Sequence, residues 1–144
     1  MLTVCLPGTG GMLPLPDRWL SCCWMEYQGK AVLVDCGEGT QVALREAACK
    51  LSHLETVLLT HFHADHVMGL PGLLLSLGNT GRTKPLRIAG PKGLRELLSA
   101  LLVAAPLPFP LLLAEPSPGD VLPGWEGLTI TCRELDHRMP CYGW

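Results

Sequence analysis

The 144 residues are one domain's worth of chain, and 48% apolar content is ample for a core. A net charge of −2 excludes attraction to nucleic acid through bulk positive charge. Five basic residues fall close together (Arg82, Lys84, Arg87, Lys92 and Arg95), and they read as a solvated strand and helix face in preference to an RNA-backbone patch. Seven cysteines form no C-x-x-C pair and sit mostly in apolar runs, where Cys behaves as a small hydrophobe. Free thiols in a reducing, cytoplasmic compartment are expected. Met1 to Leu6 lacks the basic start of a signal peptide. The longest apolar run, Leu97 to Leu113, is broken by Ser99, Pro106, Pro108 and Pro110, so no membrane span is expected.

In chain order, Leu2 to Leu6 reads as a strand, followed by a Gly-rich turn at Pro7 to Gly11 and a Pro-rich loop to Arg18. The G-T-G-G run is weak evidence for phosphate binding, because no helix follows it; close approach to a neighbouring loop explains it as well. Ser21 to Tyr27 and Lys30 to Asp35 form a hairpin about Gln28-Gly29. Cys36 to Thr40 is a tight turn, and Gln41 to Lys50 is helical. Glu55 to Thr60 is a buried strand. Pro71 to Leu77 is a helix with Gly78-Asn79 as its C-cap. Pro85 to Ala89 is a strand. Pro91 lies in the first turn of a helix that reaches about Val103, and a loop runs from Ala105 to Pro110. Leu111 to Leu113 and Leu128 to Arg133 are strands flanking a Pro/Gly-rich region. Strands and helices alternate along much of the chain, which is an α/β pattern.

The chemistry is concentrated in Thr60-His61-Phe62-His63-Ala64-Asp65-His66. This run lies at the C-terminal end of a strand, where α/β sheets usually place their sites. Histidines at i and i+2 can aim two imidazoles at one ion, leaving Asp65 and His66 to reach a second. Imidazole and carboxylate suit zinc, manganese or iron(II). His137 also follows a strand and could supply a third nitrogen beside His61 and His63; three histidines with one open position form a catalytic zinc pattern. His53 stands alone and reads as a surface or cap residue.

Gly8-Thr9-Gly10, Asp35 to Gln41 (D-C-G-E-G-T-Q), the H-x-H-x-D-H of residues 61–66, Gly69 to Leu74 and His137 to Gly143 resemble the metallo-β-lactamase superfamily. Within it they are most similar to the ribonuclease Z branch, the tRNA 3′-processing endonucleases. The resemblance implies an αβ/βα sandwich holding two zinc ions. His61, His63 and His137 would hold one ion and Asp65 and His66 the other, with Asp65 also the proton acceptor. Asp35 would be a buried carboxylate beneath the metal loop. The implied reaction is hydrolysis of a precursor-tRNA phosphodiester, releasing the 3′ trailer, by a cytoplasmic homodimer.

Members of that branch are longer. Their later part carries an aspartate bridging the metals, another zinc histidine and an arm that grips tRNA. Residues 1–144 therefore read as the N-terminal half of such a domain, a mixed sheet with helices on one face. The C-terminal half is absent, and an apolar face is left for it to cover. Such a half is expected to be inactive alone. Two other readings stay open: another hydrolase on the same fold, such as a phosphodiesterase or lactonase, and a non-catalytic metal-binding module.

Overall fold

Two apolar strands sit at the centre of the molecule: β3 (Lys30–Val34) and β4 (Leu54–Leu58). They pair in parallel, Leu33 opposite Val57 and Val34 opposite Leu58, and both are covered on each face. The computed structural model describes residues 1–102 and 106–144. On one side of this pair, β2 (Cys22–Tyr27) and β1 (Leu2–Gly8) add antiparallel. On the other, β5 (Leu86–Ala89) and β6 (Leu111–Ala114) add in parallel. The result is a mixed six-stranded sheet in the order β1-β2-β3-β4-β5-β6. The hairpin at Gln28-Gly29 has positive φ at both residues, the backbone twist that matches two antiparallel strands.

Parallel neighbours need crossovers, and helices provide them. These are α1 (Thr40–Glu46), a short α2 (Ala64–Val67) with α3 (Leu70–Asn79), and α4 (Leu94–Leu101). Leu44, Leu70, Leu73, Leu74, Leu77, Leu94 and Leu98 form one cluster with Leu33 and Val57, so the helices share one face of the sheet.

The opposite face carries a smaller cluster of Val32, Leu58, Ala89, Leu122 and Ile130. Leu122 and Ile130 come from a hairpin, β7 (Val121–Trp125) and β8 (Leu128–Thr131), laid across the sheet. The Arg87 guanidinium donates to the Pro123 carbonyl, and the Lys30 ammonium stands 5.8 Å over the Trp125 ring. The expected bare face is thus covered at its centre. It remains open along β1, where Leu2, Val4 and Leu6 are more than half exposed.

Several boundaries differ from the sequence reading. α1 stops at Glu46, short of Lys50, because Ala48 takes φ +55. The Ala48 N–H donates to Arg45 and the Cys49 N–H to Leu44, the paired bonds of a Schellman stop. α3 ends the same way at Gly81 (φ +83), so Gly78-Asn79 is not its cap. Pro91 lies in a turn before α4, which starts after Gly93. The Glu115 carboxylate accepts the Gly93 and Arg95 N–H groups there. The helix end expected near Val103 and the loop start at Ala105 lie outside the described residues. The Pro/Gly-rich region contains β7, whose Pro123-Gly124 interrupts the ladder with β8. The expected strand Leu128–Arg133 divides at Cys132 into β8 and β9 (Arg133–Glu134); β9 pairs with β10 (Tyr142–Gly143).

Two substitutions test this reading by urea denaturation. Ala48→Gly should stabilise by roughly 0.5–1 kcal/mol, because glycine adopts positive φ without the Cβ clash that costs an L-residue about 1–2 kcal/mol. Gly69→Ala should destabilise by about 1–3 kcal/mol. A Cβ there would stand 2.0 Å from the Gly37 carbonyl oxygen, which is backbone and cannot swing away.

Candidate metal centre

The site stands at the C-terminal ends of β3 and β4, with Asp35 as its foundation. Asp35 is buried and holds φ +60, a left-handed conformation that Asp tolerates better than most residues. Its N–H donates to Leu58, and its carboxylate accepts the Thr60 N–H at 2.8 Å. The Thr60 hydroxyl lies 2.9 and 3.0 Å from the two carboxylate oxygens. His66 Nδ1 donates to Oδ2 at 2.7 Å.

These bonds fix the histidine tautomers. An ionised carboxylate only accepts, so the single Thr60 hydroxyl proton goes to Asp35. The Thr60 oxygen, 2.9 Å from His61 Nδ1, must then accept from that nitrogen. His61 Nε2 is therefore the nitrogen with a free lone pair. By the same logic His66 presents Nε2. The sequence reading placed Asp35 beneath the loop but missed Thr60, which carries its influence to His61. The signal was local: a hydroxyl immediately before the first histidine.

Two close approaches seat the loop. A Cβ on Gly37 would stand 2.3 Å from the Asp65 carbonyl oxygen, and Gly69 meets the Gly37 carbonyl. The Cys36 N–H donates to His66, and its carbonyl accepts from Gly69. Gly8 meets the Leu20 carbonyl, so the G-T-G-G run is explained by close backbone packing. His137 arrives from the far end of the chain. Its loop is closed by β9 and β10 and tied down by the Tyr142 N–H, which donates to the Thr60 carbonyl at 2.8 Å.

The outcome is a convergence of His61, His63 and His137, whose ligand nitrogens all lie within 4.8 Å of one another. His61 Nε2 is 3.0 Å from His63 Nδ1, and His137 Nε2 is 3.3 Å from that same nitrogen. Nitrogens bound tetrahedrally at 2.0–2.1 Å are separated by about 3.3 Å, so the set fits a zinc-sized ion. Asp65 and His66 form a second pair beside it. Asp65 Oδ2 lies 3.8 Å from His66 Nε2, and the His66 ring centroid lies 4.2 Å from that of His61.

Charge follows geometry. Burial and the neighbouring imidazoles, His66 first among them, hold His61 below its ordinary pKa and favour the neutral ring. The hydrogen bond to Asp35 raises the His66 pKa. The Met12 N–H, donating to Asp65 Oδ2 at 2.9 Å, lowers that of Asp65. His53 is elsewhere, at the opposite end of β4, 3.0 Å from Glu26.

This fold and this histidine set define a metallo-β-lactamase-fold metal-binding chain. The chain belongs to the family described as "Anti-Pycsar protein Apyc1", whose family model matches residues 2–104. It is 48% identical to ribonuclease Z of Agathobacter rectalis over all of this chain and 48% of that relative. It is 46% identical to ribonuclease Z of Lachnospira eligens with the same coverage. The chain thus spans about half the length of the curated relatives it matches. Human tRNase Z, short form, superposes with a TM-score of 0.84 at 31% identity, over 99% of this chain and 63% of that one. The metallo-β-lactamase fold protein YhfI of Bacillus subtilis gives 0.76 at 22% identity, over 98% and 56%. The resemblance to the ribonuclease Z branch and the sandwich fold are thereby established.

Asp35→Asn should lower metal affinity about 10–100-fold, the usual cost of losing a group that orients the ligands. Zinc titration against a chelating dye checks this. A variant binding zinc as tightly as the parent would show that Asp35 does not orient the histidines.

Proposed function

We propose that these residues form the metal-binding half of a metal-dependent endoribonuclease that releases the 3′ trailer from precursor tRNA. The observation that carries it is the convergence of His137 on His61 and His63 from 74 residues away along the chain. The similarity to ribonuclease Z relatives supplies the substrate class. His61, His63 and His137 would hold one zinc, with manganese or iron(II) also compatible with the donors. Asp65 and His66 would hold the second. Further ligands would come from the remainder of a longer protein. That remainder would also cover the apolar surface along β1. A cytoplasmic homodimer is the form we propose for the whole protein.

When bound, the ions polarise phosphoryl oxygens and lower the pKa of water toward about 7. The chain's own residues do the rest. Asp65, kept ionised by the Met12 N–H, accepts the proton of the attacking water at Oδ1, the oxygen Met12 leaves free. Asp35 and Thr60 hold His61 and His66 in the tautomers that present Nε2. With those rings fixed, the phosphodiester meets a preset geometry and little reorganisation is needed during the reaction.

The test is cleavage of a precursor tRNA bearing a 3′ trailer, alongside a cyclic nucleotide and a lactone, by the longer protein. Trailer release with two zincs per chain is the expected result. Turnover of only the cyclic nucleotide or the lactone, or of nothing, sinks the proposal. Asp65→Ala should cut turnover by at least about 10²–10⁴-fold, the range for a lost general base, while leaving tRNA binding close to that of the parent. The 144 residues alone should release no trailer.

A further inference from the structure

Residue Met12 has no evident reason to be strained, yet it is. Its φ is +64, and its side chain is 87% exposed, so packing does not compensate the strain. The Leu13 N–H donates to the Gly11 carbonyl at 2.8 Å across it, giving a γ-turn of the rare positive-φ form. Strain of this kind costs about 1–3 kcal/mol and persists only where the surroundings enforce it.

Those surroundings are a cross-braced loop. The Arg18 guanidinium donates to the Thr9 hydroxyl at 3.1 Å and to the Thr9 carbonyl at 2.8 Å. The Gly10 N–H donates to Trp19, and the Ser21 hydroxyl donates to the Gly10 carbonyl. The Trp19 indole N–H donates to Glu46 on α1 at 2.7 Å. The braces hold Thr9, Gly10 and Trp19 on the two sides of the turn, and none of these bonds involves the Met12 side chain. What the turn delivers is the peptide N–H, aimed at Asp65 Oδ2.

We propose that the Met12 peptide N–H is a positioning group for Asp65: the braced turn fixes the carboxylate so that Oδ2 faces His66 Nε2. This rests on the metal-site reading above. Without the N–H the carboxylate turns freely about its χ angles and presents either oxygen. The Asp65–His66 pair then loses definition while the three-histidine set keeps its own supports in Thr60 and Tyr142. Met12 is a positioning residue, acting only through Asp65.

Zinc titration of the intact longer protein, followed by calorimetry, reads the two sites separately. Met12→Pro removes the N–H and forbids positive φ. It should weaken the second zinc about 10–100-fold and leave the first nearly unmoved, with kcat on precursor tRNA falling at least about tenfold at a near-constant KM. Met12→Gly keeps the N–H and tolerates the turn, so it should recover most of both losses. Arg18→Met, at an exposed brace, should give a smaller loss of the same kind and serves if Met12→Pro does not fold. Parent-like binding of both zincs in Met12→Pro, or in Arg18→Met where only that variant folds, overturns the proposal. Equal weakening of both sites does so too, since it marks general collapse of the loop. If the parent takes up two zincs but leaves precursor tRNA uncut, the proposed substrate fails, and the zinc titration still decides the role of Met12.

Discussion

One buried carboxylate holds the site together. Removing Asp35 from water is costly unless its oxygens are fully partnered. Here a backbone N–H, a hydroxyl and an imidazole N–H all converge on it. Each partner belongs to the loop of residues 60–66, so satisfying the carboxylate and shaping the loop are the same event. The left-handed backbone of Asp35 is the cost of aiming the side chain upward from the end of β3. The return is tautomeric control of two histidines, one directly and one through Thr60. A loop carrying the same histidines over an apolar residue would lack the acceptors that hold the proton on Nδ1 of each ring.

The glycines around this carboxylate act as spacers. Gly37 and Gly69 let three loops approach to distances that a single Cβ would forbid, and Gly72 admits the Gln41 side chain between α1 and α3. The D-C-G-E-G-T-Q and G-L-P-G-L-L runs are therefore two halves of one packing arrangement. Through Asp35, Gly37 and Gly69 they set the height of Asp65 and His66 above the sheet.

Much of this was legible in the sequence, for physical reasons that differ by element. Strands β3 to β5 announce themselves by β-branched and apolar runs, and the Gln28-Gly29 turn by residues that tolerate positive φ. The His61–His66 run is legible because so many metal-binding side chains rarely share a turn by accident. The stop of α1 was hidden, because Ala48 takes the left-handed position where glycine is expected. Strand β7 was hidden because Pro123 and Gly124 signal a turn, whereas tertiary contacts hold it extended: the Arg87 bond, pairing with Leu128 to Thr131 and burial of Leu122. His137 was expected beside His61 and His63, but the bonds that dock it and that give Thr60 its role were not. These are tertiary hydrogen bonds, to Asp35 and from Tyr142, that leave no periodic trace.

The segment bearing His137 links the metal centre to the second face of the sheet. Tyr142 ties it to Thr60 through the backbone, and the Trp144 indole N–H donates to the Leu59 carbonyl at 3.1 Å. Trp144 also packs against the cluster of Val32, Leu58, Ala89, Leu122 and Ile130. The same stretch of chain therefore delivers a histidine to the metal set and an aromatic ring to the sheet. Covering that face lowers the free energy of the docked segment, and the docked segment is the one in which His137 meets His61 and His63. Burial of apolar area, worth roughly 25 cal/mol per Å², thus favours the complete three-histidine set without contacting it. An ion held by all three histidines would bind the docked segment preferentially, so by linkage its binding would favour closure of the second face.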